Sequence, residues 1–131
     1  MPPRRKQSPT STDTAGANTL YILRDALRRF AAERDWDQFH SPKNLATALC
    51  VEAAELLEHF QWLSDDRSKS LSTEQLQKVQ EEMGDVLLYL IRLADKLNVN
   101  LLEAARNKIG VNAQKYPAEK ARGNSRKYTE L

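Results

Sequence analysis

The sequence predicts an all-α fold, a four-helix bundle, on three observations. Apolar residues recur at helical spacing in four separate stretches, helix-start signals precede three of them, and four glycines in 131 residues with no convincing period-two alternation leave little from which to build a sheet.

The elements follow in chain order. Residues 1–18 are rich in Pro, Ser, Thr and Ala without an apolar period, and read as a disordered leader. From Thr19 the spacing of Leu20, Leu23, Leu27, Phe30 and Ala31 predicts a first helix ending near Arg34. Asp35 to His40 form a polar, aromatic-bearing connection. Ser41 followed by Pro42 is a cap and a first-turn proline, opening a second helix to about Leu63. A charged, serine-rich loop follows. Ser72 and Gln75 have the form of a capping box and start a third helix through Leu97. Asn100 and Glu103 repeat the spacing before a fourth helix of about fourteen residues, which carries Gly110 at a cost of about 1 kcal/mol against alanine and is ended by Pro117. The helical, catalytic domain is expected over residues 19–116, and residues 117–131 as a basic tail able to close over a substrate.

Hydrophobic residues at 40% and charged residues at 29% are the balance of a folded soluble protein. No apolar run reaches the roughly 18 residues that span a bilayer, and no apolar secretory segment opens the chain, so no membrane association and a cytoplasmic location are expected. The lone Cys50 cannot form an internal disulfide and reads as a small buried hydrophobe. The net charge of +2 is unevenly placed: Arg4, Arg5 and Lys6 face only Asp13 at the start, and residues 115–131 carry five Lys or Arg against two Glu. The helical body is therefore acidic, which argues against nucleic acid as a partner.

The acidic residues have an unusual placement. With Glu52 at zero on a wheel of about 100° per residue, Leu45, Leu49, Leu56, Phe60 and Leu63 fall at about 20° to 80°, while Glu55, His59 and Trp62 form a ridge beside them. In the third helix Val79, Val86, Leu90, Leu93 and Leu97 take the same angles from Glu82, and Asp85, Tyr89 and Arg92 form the matching ridge. Packed by their apolar stripes, the helices bring Glu52, Glu55, Glu82 and Asp85 towards one volume. Four carboxylates in proximity repel, and something must offset that. Oxygen donors with no Cys or His pair at ligand spacing favour Mg²⁺, with Mn²⁺ as a substitute, and such an ion suits phosphoryl chemistry. The plain alternative is two solvated helix faces. Leu88 and Ile91 project away from the stripe and need cover, which predicts self-association.

Five segments, in order, resemble the all-α nucleotide pyrophosphohydrolases of the MazG-like superfamily, most closely the dCTP pyrophosphatase branch: FAAERDWDQFHSPKNLA (30–46), VEAAELLEHFQW (51–62), EEMGDVLLYL (81–90), NAQKYP (112–117) and RGNSRKYTEL (122–131). The resemblance implies that Glu52, Glu55, Glu82 and Asp85 hold Mg²⁺ and carry catalysis; of these four, Glu55 is the one expected here to orient the attacking water. It implies hydrolysis of a nucleoside triphosphate, dCTP or a modified dCTP, to monophosphate and pyrophosphate. By the same resemblance Trp36, His40, Asn44, Trp62 and Tyr89 form the base pocket, Lys108, Asn112, Lys115 and Tyr116 contact the triphosphate, and the chain forms a homodimer or homotetramer. The competing functions are a helical nucleotide-binding or regulatory module without catalysis, and an adaptor whose acidic ridge binds a basic partner.

Overall fold

A computed structural model of the chain describes residues 11–131. Its elements are α1 (Ser11–Glu33), α2 (Pro42–Glu58), α3 (Asp65–Ser68), α4 (Thr73–Leu97), α5 (Leu101–Lys115) and α6 (Ala118–Ala121), with 3-10 turns at Asp37–Phe39 and Tyr128–Glu130. The chain is all-α, with no strand among the described residues, and the four long helices expected are α1, α2, α4 and α5. No described helix is long and apolar enough to cross a membrane.

The start signals act as expected. Ser41 Oγ accepts from the Asn44 backbone N–H, with Pro42 in the first turn. Ser72 and Gln75 close a reciprocal capping box on α4, and the Asn100 side chain accepts from Glu103 N–H at the head of α5. Asn98 ends α4 in the left-handed conformation, φ 54°, which asparagine tolerates better than most residues.

Boundaries differ in three places. The expected leader falls partly on residues 1–10, outside the described residues, but 11–18 are helical: α1 begins at Ser11 rather than Thr19. Once the amphipathic part is formed, each residue added in front costs no new nucleus. The second helix stops at Glu58, short of Leu63, in turns that carry Gln61 N–H to Leu57 O and Leu63 N–H to Phe60 O. The loop after it holds the one-turn helix α3, capped by Ser64, whose extended backbone requires the chain to leave α2 early.

The chain divides into two compact units, one ending at Asn98 and the other spanning Val99–Leu131. In the first, α4 packs against both α2 and α1. The buried apolar set is Ala31 of α1, Leu45 of α2, and Val79, Ile91 and Ala94 of α4. Because α4 is covered on two sides, Ile91 is buried at 3% exposure within the chain itself, contrary to the expectation that it needs an outside partner. Cys50 is exposed, not buried; on the α2 wheel it stands about 160° from Glu52, away from the stripe containing Leu45. In the second unit the basic tail is not wholly loose. Tyr128 packs edge-on against Tyr116, ring centres 6.1 Å apart, and Lys115 Nζ lies 4.9 Å from the Tyr128 ring centre.

Candidate functional site

The packing of α2 on α4 turns the two acidic faces toward each other. One carboxylate oxygen from each of Glu52, Glu82 and Asp85 lies within 4.8 Å of the other two. Glu55, one turn after Glu52, stands outside this group of three but is close enough for its carboxyl to raise that of Glu52. Three of the four expected acids thus meet, and the fourth lies beside the first.

The electrostatics are unfavourable as they stand. Glu52 Oε2 and Glu82 Oε2 are buried and have no hydrogen-bond partner among the described residues. Burial, then the neighbouring Glu55 carboxyl and then the charges of Asp85 and Glu82 push the Glu52 carboxyl up to about 7 from an ordinary 4.5. Burial and the charges of Glu52, Asp85 and Glu55 also raise the Tyr89 phenol. The neighbouring cationic candidate is weak: His59 Nε2 is 3.6 Å from Glu82 Oε1. Orphaned, buried oxygens converging from two helices, with no Lys or Arg among them, fit a divalent cation, and an all-oxygen donor set fits a hard one. The ion would take Glu52, Glu82 and Asp85 as its ligands.

A second group of side chains stands at the Trp36–His40 connection. The end of α1 closes by Asp35 at φ 54°, with Trp36 N–H donating to Ala31 O at 2.9 Å and Asp35 N–H to Ala32 O at 3.1 Å. This turn sets the Trp36 ring edge-on to both Phe30 (5.7 Å, 70°) and His40 (6.3 Å, 63°). Asn44 is committed to the same loop, its amide donating to Phe39 O at 2.9 Å. Trp62, released from the helix by the early end of α2, is 87% exposed. Trp36, His40, Asn44, Trp62 and Tyr89 all belong to the first unit, with Trp36 and His40 in mutual contact. Lys108, Asn112, Lys115 and Tyr116 belong to the second, where their spacing puts them on one face of α5 and its end.

Sequence reasoning missed one feature here. Arg92 is 5% exposed and ties α4 to the loop: its Nε donates to His40 Nδ1 at 3.1 Å, Nη2 donates to Asp37 Oδ1, and Nη1 lies 3.7 Å from Asp95 Oδ2. Lys96 Nζ also reaches Asp37 Oδ1 at 3.1 Å, and Arg28 of α1 holds Asp95 with both Nε and Nη2, the former at 2.7 Å. Lys96 and Arg92 hold the Asp37 carboxyl below its usual range, and Arg28 does the same for Asp95. The available signal was the run Arg92, Asp95, Lys96 at i, i+3, i+4.

The chain is similar to known proteins in sequence and in fold. A profile described as the MazG-like family matches residues 47–131. The human dCTP pyrophosphatase 1 is 47% identical over 115 residues, covering 86% of this chain and 68% of that protein. The protein of the same name from cattle is 40% identical over 132 residues, covering 97% and 78%. Among solved structures, a pyrophosphatase from Archaeoglobus fulgidus superposes with a TM-score of 0.72 at 42% identity, over 76% of this chain and 93% of that one.

Proposed function

The chain belongs to the MazG-like family and is a nucleoside triphosphate pyrophosphohydrolase, and we propose that it hydrolyses dCTP or a modified dCTP to the monophosphate and pyrophosphate with the help of Mg²⁺. The observation that carries the metal dependence is the meeting of Glu52, Glu82 and Asp85 with two buried oxygens unpartnered. The names of the human and cattle relatives favour dCTP.

In this reading Glu52, Glu82 and Asp85 hold the ion, for which Mn²⁺ can substitute. A divalent cation there supplies charge neutralisation at the phosphoryl oxygens and makes water a better nucleophile near neutral pH. Glu55, beside Glu52 but outside the group of three, orients the attacking water at the α-phosphorus. Trp36 and Trp62 offer ring faces for the base, and Tyr89 and His40 offer polar edges. Asn44 gives one amide N–H to Phe39 O, which anchors the loop, and keeps a second N–H and Oδ1 for the base. Lys108, Asn112, Lys115 and Tyr116 bind the triphosphate, Lys115 as a point charge.

Self-association is part of the proposal. Leu76, Met83, Leu87 and Leu90 form an exposed apolar stripe on α4, at 46%, 56%, 42% and 37% exposure, that a homodimer or homotetramer covers. Sedimentation at micromolar concentration tests it, and a monomer rejects it.

The activity is tested by incubating the full chain with Mg²⁺ and a panel of nucleoside triphosphates. Pyrophosphate release, fastest with dCTP or a cytosine-modified analogue, is expected. Release of orthophosphate overturns the assigned bond, and full turnover in excess chelator overturns the metal.

A further inference from the structure

The buried Arg92 does nothing in the proposed metal chemistry, yet it makes three polar contacts at the foot of the Trp36–His40 loop. A guanidinium has only donors and keeps its proton at every accessible pH, so the ring nitrogen facing it must accept. For His40 that nitrogen is Nδ1, 3.1 Å from Arg92 Nε. The neutral imidazole then carries its hydrogen on Nε2, and the ring makes no other hydrogen bond among the described residues. The Nε2–H is left to donate to a ligand.

We infer that Arg92 is a positioning residue for the base pocket, fixing His40 as the neutral Nε2–H imidazole so that the pocket presents one directed hydrogen-bond donor to an acceptor on the substrate base. The inference rests on the reading that His40 lines the nucleotide pocket. A pyrimidine that carries an exocyclic carbonyl oxygen or an unprotonated ring nitrogen satisfies such a donor, and cytosine has both.

The surroundings sustain the neutral form. The charged groups acting on His40 are Arg92 and Lys96 of α4 against Asp37 of the loop itself, two cations against one carboxylate. Burial first and then the Arg92 charge disfavour the imidazolium, with Asp37 opposing them. Trp36 packs edge-on to the ring and limits its rotation. The carboxylates of Asp37 and Asp95 in turn hold the guanidinium in place: Asp37 takes Nη2, and Asp95, itself gripped by Arg28, sits beside Nη1.

The decisive measurement is ring ¹⁵N NMR on the full wild-type chain near neutral pH. His40 should show an unprotonated Nδ1 and a protonated Nε2. The opposite tautomer, or an averaged pair, overturns the inference. In Arg92→Met the two nitrogens should become averaged, and KM for dCTP should rise about tenfold with kcat within about twofold. Unchanged KM, or a fall in kcat alone, overturns it. Should Arg92→Met not fold, Arg92→Lys keeps a charge between Asp37 and Asp95 while losing the fork, and is read the same way. The wild-type spectrum needs no turnover. A chain that releases no pyrophosphate from dCTP therefore defeats the functional reading, while the ring signals still support or overturn the role of Arg92.

Discussion

Glu52 of α2 and Glu82 of α4 bring carboxylate oxygens within 4.8 Å of each other, and Oε2 of each is buried without a hydrogen-bond partner among the described residues. Two helices that could have met through apolar residues alone instead hold acids at their seam. The arrangement costs stability unless a cation offsets it, and several outcomes can be measured.

The first concerns pH. Glu52 has a folded pKa of about 7 against an ordinary 4.5, so the folded chain binds this proton more tightly than the unfolded chain does. The resulting stability is full below about pH 4.5 and is lost as pH rises through 7. In metal-free buffer the melting temperature should therefore fall between pH 5 and 7.5, by about 4 °C for a contribution of about 1 kcal/mol after discounting for solvent. Glu52→Gln should flatten this slope. A wild-type slope of the opposite sign in that window defeats the assignment.

With saturating Mg²⁺ or Mn²⁺ the slope should reverse, because the ion binds the ionised carboxylates and stabilises only the folded state. Asp85→Asn should retain the fold, lose most of the metal-induced rise in melting temperature, and lose at least about a hundredfold in turnover. A calorimetric titration checks the first loss and pyrophosphate release the second. Full metal binding by the variant removes Asp85 from the ligand set.

Trp62 separates stability from binding. At 87% exposure its truncation to alanine should change the unfolding free energy by less than about 0.5 kcal/mol. If the ring stacks on the base, KM should rise by about 5- to 150-fold, the range of one stacking contact. Denaturant melts and steady-state kinetics on the same preparation test both halves, and unchanged kinetics make Trp62 an idle surface ring.

Leu45 tests the packing that holds the seam. It is 1% exposed on α2, and Leu45→Ala should cost about 2–5 kcal/mol. In contrast, Gly110→Ala on α5 should gain about 0.5–1 kcal/mol, since an added Cβ meets nothing within 4 Å and the helix no longer orders a glycine. Urea denaturation midpoints of the two variants should move in opposite directions.

Much of the fold was legible in the chain. The caps at Ser41, Ser72 and Asn100 are local hydrogen bonds between residues three apart, so the sequence states them directly. The acidic pairs were legible for a similar reason, as a helical wheel needs no knowledge of a partner. The second-helix end was not, because Glu58 to Ser64 is decided by a competition between continuing α2 and freeing Ser64 to cap α3. Exposure of Cys50 was readable from its angle on the wheel and was missed.

The sequence by itself determined the all-α class, the four long helices and the faces on which Glu52, Glu55, Glu82 and Asp85 stand, since all of these follow from hydrogen bonding and periodicity within one helix. Only the tertiary structure decided that Glu52, Glu82 and Asp85 meet while Glu55 stays outside the group, that α1 covers a second side of α4, and that Arg92 joins Asp37 and His40 across more than fifty residues of chain. Which faces touch depends on side-chain volumes and charges brought together from distant parts of the chain, and no local period encodes it.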